Sequence, residues 1–160
     1  MSAGPDNSRT VDGRRDLVFA DLSEVMPEVE RLQAGGHRST GRWTLAQVCV
    51  HLADSFTGSM DGFGVRRHRL MRVLFGRTAL RRVFQTDSID SGFTVTEKLN
   101  PPAQPDSEAT VKRLASAIDR FQSHTGPLHF HPFFGRLTRP EWDHLHRIHC
   151  AHHLSRLIPL

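Results

Sequence analysis

Apolar positions recur with a helical period along most of this chain. Leu22, Val25, Met26, Val29 and Leu32 fall at i, i+3, i+4, i+7 and i+10, the spacing that lines one face of a helix, and Gly35-Gly36 supplies its stop. Pro27 fits only if that helix begins near Ser23, so that the ring lies in the opening turn, or if the helix kinks. The stretch "WTLAQV" announces a second helix. Thr44 and Gln47 form a capping box, while Trp43 and Val48 occupy the two positions of a hydrophobic staple. Leu45, Val48, Leu52 and Phe56 make its core face, and His51 projects beside that face. A less regular helical stretch covers about 65 to 83 and is interrupted at Gly76. Asp106 or Ser107 then caps a helix with Val111, Leu114, Ala115, Ile118 and Phe121 on one side. "TRPEW" starts the last helix, with Thr138 as cap, Pro140 in the first turn and Glu141 closing another capping box; the pattern runs to about Leu157.

Strand signals are few, so the fold class is all-α. The economical architecture is a four-helix bundle with the basic segment as a helical insertion. Residues 1–13 read as a flexible tail and 14–160 as one domain. Residues 85–105 form a loop long enough to be a lid or a connector. With 38% hydrophobic and 24% charged residues the composition is that of an ordinary globular chain. No apolar run reaches the roughly 18 to 20 residues that span a bilayer, and the first residues lack the apolar stretch of a signal peptide. No membrane association and a cytoplasmic location are expected. Cys49 and Cys150 are too few for a disulfide scaffold and suit a reducing compartment.

The net charge of +4 is unevenly spread. "RRHRLMRVLFGRTALRR", residues 66–82, holds seven arginines and no acid. Such a run grips phosphates or anionic lipid in some proteins and is a solvated helix face in most.

Histidine supplies the candidate chemistry. A helix brings i and i+4 side chains to one face with β-carbons about 6 Å apart, so His149 and His153 can offer two imidazole nitrogens to one metal ion. His152 lies about 100° around the helix from His153. With 11 histidines in 160 residues such a pair arises readily by chance, and a third ligand is needed. His51, at the edge of an apolar stripe, is the candidate, with Asp54 placed to fix an imidazole tautomer. The competing reading makes His51 a half-buried core histidine and the pair surface residues. His131, before Pro132, reads as a turn residue satisfied by backbone, and His37, His68, His124 and His144 as exposed. Cys49 and Cys150 point away from the ligand faces, and Trp142 reads as core.

"WTLAQVCVHLADS" and "HPFFGRLTRPEWDHLHRIHCAHHLSRLIP" together resemble the DinB/YfiT-like superfamily of metalloenzymes. More narrowly, they resemble its uncharacterised family, a domain of unknown function, with an HPFFG…EW…HxxHHL ending. The similarity spans roughly residues 14–159. It implies a four-helix bundle in up-down-down-up order, one metal-binding histidine on the second helix and an HxxxH pair on the last, which map onto His51, His149 and His153. Related bundles carry out metal-dependent hydrolysis or the S-transfer of low-molecular-weight thiols. This chain departs from the superfamily by ending "LSRLIPL" and by its basic insertion.

Three neutral histidines leave a position open on a divalent ion, the arrangement of a catalytic site. Zinc or nickel suits imidazole best, with iron, cobalt or manganese admissible. An HExxH peptidase is disfavoured because Cys150 stands where its glutamate would be. Asp54, Ser55 and His146 are the candidate catalytic groups. The leading expectation is a metal-dependent enzyme acting on a small molecule, thiol S-transferase-like or hydrolytic. The alternatives are a non-catalytic metal- or ligand-binding bundle, or an anion- or nucleic-acid-binding protein using residues 66–82. Nucleic acid is the disfavoured partner, and a leftover apolar face could support a homodimer. Ordinary histidine ligation would make metal affinity fall as pH drops through about 6.5.

Overall fold

The computed structural model describes residues 10–11, 13–64, 69–89, 100–103 and 107–160. Two short strands, β1 (Thr10–Val11) and β2 (Arg14–Arg15), pair antiparallel. A 3-10 turn at Leu22–Glu24, capped by Asp21, leads into α1 (Val25–Gly35). Pro27 therefore falls in the opening turn, where its missing N–H costs no helical hydrogen bond. Gly36, at φ 76°, ends α1 and admits β3 (His37–Ser39). Next come α2 (Leu45–Asp61), α3 (Arg69–Thr86), α4 (Ser107–Ser123), α5 (Arg139–Leu154) and β4 (Leu157–Pro159). The chain is thus mostly helical, and no helix among the described residues is long and apolar enough to cross a membrane.

The capping boxes at Thr44/Gln47 and Thr138/Glu141 are both formed, and they fix where α2 and α5 begin. α2 is the central element, packed most extensively against α4 and then α5. Leu45, Val48, Leu52 and Phe56 of α2 meet Leu114, Ile118 and Phe121 of α4 and Trp142, Leu145 and Ile148 of α5 in one buried core.

Three local expectations are corrected. α3 runs unbroken through Gly76. A Cβ there would stand 2.8 Å from the Phe133 carbonyl oxygen, so the glycine serves the close approach of the 133–134 backbone. α3 also continues to Thr86, into the stretch read as loop; residues 90–99 and 104–106 lie outside the described residues. Of the arginine-rich segment, residues 65–68 and the side chains of 69–74 lie outside them too. Thirdly, α5 stops at Leu154, because the following backbone is captured elsewhere.

Arg15 does the capturing. Its side chain is buried, with Nε donating to the Leu157 carbonyl at 2.9 Å and Nη2 to that of Leu154 at 3.2 Å, and it pairs with Glu28 of α1. Its own backbone N–H donates to Ser155 at 3.0 Å, and β4 pairs antiparallel with β3. One guanidinium therefore ties the start of the described chain, α1 and the end of α5 together.

Removing one partner of a buried ion pair leaves the other charge unpaired, at a cost of about 3–5 kcal/mol. Arg15→Met is expected to lower unfolding stability by that order, as measured by urea denaturation: the Leu154 and Leu157 carbonyls lose their donor, and Glu28 keeps only the exposed Arg31 as a partner. A loss below about 1 kcal/mol, the scale of a surface ion pair, would show that Arg15 is not the tie described.

Candidate metal centre

Seven positions after its cap, α2 presents His51, which is only 4% exposed. α5 presents His149 and His153, both half-buried, one turn apart. The three imidazoles meet. Nε2 of His149 stands 3.0 Å from Nε2 of His51 and 3.1 Å from Nε2 of His153, and one nitrogen of each ring lies within 4.8 Å of the others. Ring centroids are 4.7–4.9 Å apart at interplanar angles of 69–81°.

A neutral imidazole nitrogen has either one N–H or one in-plane lone pair, so His149 Nε2 can serve only one of its two close neighbours well. A cation at the point of convergence serves all three. Nitrogens held 2.0–2.1 Å from one tetrahedral zinc stand about 3.3 Å from each other, within a few tenths of an ångström of the separations found for two of the pairs. The donor set is compatible with a divalent metal site and does not distinguish among ions that accept imidazole.

Burial disfavours the protonated form of His149 and His153. Desolvation, then the neighbouring His153 and His51, hold His149 well below the ordinary histidine value, and His153 is lowered likewise by burial, His51, His152 and Arg156. Proton competition for the ligands is thereby moved below the pH of about 6.5 that unperturbed histidines would set. Trp43, the residue before the α2 cap, stacks on the His153 ring at 5.2 Å and 22° and tilts against His51 at 4.7 Å. The capping signal that starts α2 thus also positions a wall of the cluster, a role its reading as a staple did not include.

The remaining candidates are placed as follows. Asp54 pairs with Arg113 of α4. Ser55 is half-buried, one turn beyond His51. His146 is fully enclosed, its Nε2 3.1 Å from the Ser59 hydroxyl and its ring stacked on Phe56 at 4.0 Å and Trp142 at 5.2 Å. His131 accepts the backbone N–H groups of Phe133 and Phe134 at 3.1 Å, as its place before Pro132 suggests. His37, His124 and His144 are half-buried rather than exposed. His37 Nδ1 lies 3.0 Å from the Leu32 carbonyl, His124 Nε2 3.3 Å from that of Pro127, and His144 Nε2 2.7 Å from Asp87. His68 lies outside the described residues. Cys49 and Cys150 are free, buried thiols, and burial pushes Cys49 up to about 12. Trp142 is fully buried, as expected for core.

Burial lowers His131 and His146 to about 3 and, with Arg14 and Arg156, His152 to about 4. Below about pH 6.5 the unfolded chain takes up protons that the folded chain refuses. Stability is therefore complete above that pH and lost as pH falls toward the folded values, at about 1.4 kcal/mol per pH unit for each such histidine. The melting midpoint of metal-free protein should be level above about pH 7 and fall steeply from about 6.5 to 5. A level midpoint across the lower window would contradict the burial of these rings.

No curated protein and no solved structure matches the chain. A family model does match, covering the capped helices, the HPFFG turn and all three converging histidines. On that match, over residues 11–160, the chain belongs to the family described as protein of unknown function (DUF1569).

Proposed function

We propose that this protein is a metal-dependent enzyme acting on a small molecule, with His51, His149 and His153 as the metal ligands. The observation that carries the proposal is the convergence of three imidazole nitrogens from two helices. Zinc or nickel is the ion best suited to such a set. When bound, it would supply Lewis acidity at an open coordination position. In the same reading α1, α2, α4 and α5 form a DinB/YfiT-like bundle in up-down-down-up order, with α3 as the basic insertion.

What the chain's own residues do follows from their places. The box at Thr44/Gln47 fixes the phase of α2, and so the direction of His51. The box at Thr138/Glu141 does the same for the i,i+4 pair on α5. Trp43 covers His153 and restricts water on that side. Low proton affinity keeps His149 and His153 available as lone-pair donors through neutral and mildly acidic pH. No cysteine joins the set, since both thiols are buried and held protonated by their surroundings. The open side of the cluster is left to a substrate, and thiol transfer and hydrolysis are the two reactions to which we assign it. A cytoplasmic setting goes with two unpaired thiols.

His153→Ala is expected to keep the helical content by circular dichroism, to lose most of the bound metal by elemental analysis, and to abolish turnover in thiol-conjugation and ester-hydrolysis assays. Unchanged metal content would overturn the ligand assignment. Metal retained by the wild type without turnover in either assay would favour a binding protein over an enzyme.

A further inference from the structure

Among the described residues, the charged side chains that act on the α5 histidines of the cluster are cationic. The leading electrostatic influences on His149, His152 and His153 come from other histidines and from Arg14 and Arg156. Arg14 Nη1 lies 3.5 Å from Nδ1 of His152, whose ring is 4.9 Å from that of His153. Both arginines are half-buried, and neither pairs with a carboxylate among the described residues. Six other arginines, Arg15, Arg31, Arg77, Arg113, Arg120 and Arg147, each hold an acid.

The two guanidiniums are also mounted rather than loose. The Arg15 N–H donates to Ser155, which sets Arg14 alongside the chain that carries Arg156. The Thr40 N–H donates to the Arg156 carbonyl at 2.8 Å, and the Arg156 stem lies across Gly41, where a Cβ would come within 3.0 Å of its Cδ. A side chain there would displace the stem.

Three neutral imidazoles would return no negative charge to a divalent ion, and two guanidiniums with no carboxylate partner among the described residues add to the imbalance. Partly buried charge of one sign is unfavourable until an anion arrives. Guanidinium recognises oxyanions through paired N–H donors, more strongly than neutral groups do. We infer that Arg14 and Arg156 form a subsite for the oxyanion group, carboxylate or phosphate, of the small-molecule substrate, holding it beside the three-histidine cluster. The inference rests on the proposed metal site for the reacting position, while the subsite itself consists of the two arginines.

The test is calorimetric titration of the full chain at low ionic strength with inorganic phosphate and, separately, with acetate, both as purified and after metal removal. One of the two anions should bind with a single-site isotherm, and which one identifies the oxyanion class. Arg14→Gln with Arg156→Gln should weaken it by about tenfold to a hundredfold, with metal content equal to the wild type. Arg14→Lys with Arg156→Lys should restore part of the affinity, since it returns charge without the fork. Thermal melts of all variants control for folding. Binding of neither anion, or unchanged affinity in a folded double glutamine variant, would overturn the subsite. A wild type that retains no metal would instead sink the three-histidine reading alone, because the metal-free titration still decides whether the arginines bind an anion.

Discussion

His149 Nε2 sits between two other imidazole nitrogens at about hydrogen-bond distance and has a single proton or lone pair to offer them. That constraint organises much of the structure around it. The rings come from positions separated by 98 residues, so α2 and α5 must have defined phases and a defined mutual depth for the nitrogens to meet. Two side-chain capping boxes set where the helices start, and an apolar interface centred on α2 sets how they lie together. Burial in that interface disfavours protonation of His149 and His153, which is what a ligand role requires of them.

Much of this was legible in the chain because it is local. Helix starts are written in Thr44/Gln47 and Thr138/Glu141, and the apolar stripes of the helices repeat at the helical period. The i,i+4 histidine pair follows from the same period, and His51 was singled out by its place on an apolar edge. What was not legible depends on contacts distant in sequence. α5 ends at Leu154 rather than Leu157 because Arg15, 139 positions away, binds the Leu154 carbonyl, and because β4 finds β3. Gly76 looked like a helix breaker; it is a site of close backbone approach, and no local pattern reports the 133–134 segment lying against it. Trp43 was read for its staple position alone, although its ring also covers the histidines. Asp54 shares the phase of His51, yet its carboxylate meets Arg113 on a helix whose placement the spacing does not encode.

Electrostatics gives the site its character. Several acids are committed elsewhere: Glu28 to Arg15, Asp54 to Arg113, Asp61 to Arg120, Asp143 to Arg147, Glu141 to Arg77. His152, whose ring touches that of His153, feels Arg14 and Arg156, and the Arg14 guanidinium lies 3.5 Å from its Nδ1. A neutral ligand set in a cationic frame, as proposed above, would differ in kind from a carboxylate-rich centre, because the missing negative charge would have to be supplied by what binds there. The DUF1569 family match, residues 11–160, includes all of these residues.

The most direct test of the account is the first coordination shell of the metal-loaded protein, read by X-ray absorption at the metal edge. The account predicts a shell that includes three nitrogen scatterers at about 2.0–2.1 Å for zinc, with the multiple-scattering pattern of imidazole rings. A sulfur shell near 2.3 Å, or a shell of oxygen alone without imidazole scattering, would contradict it.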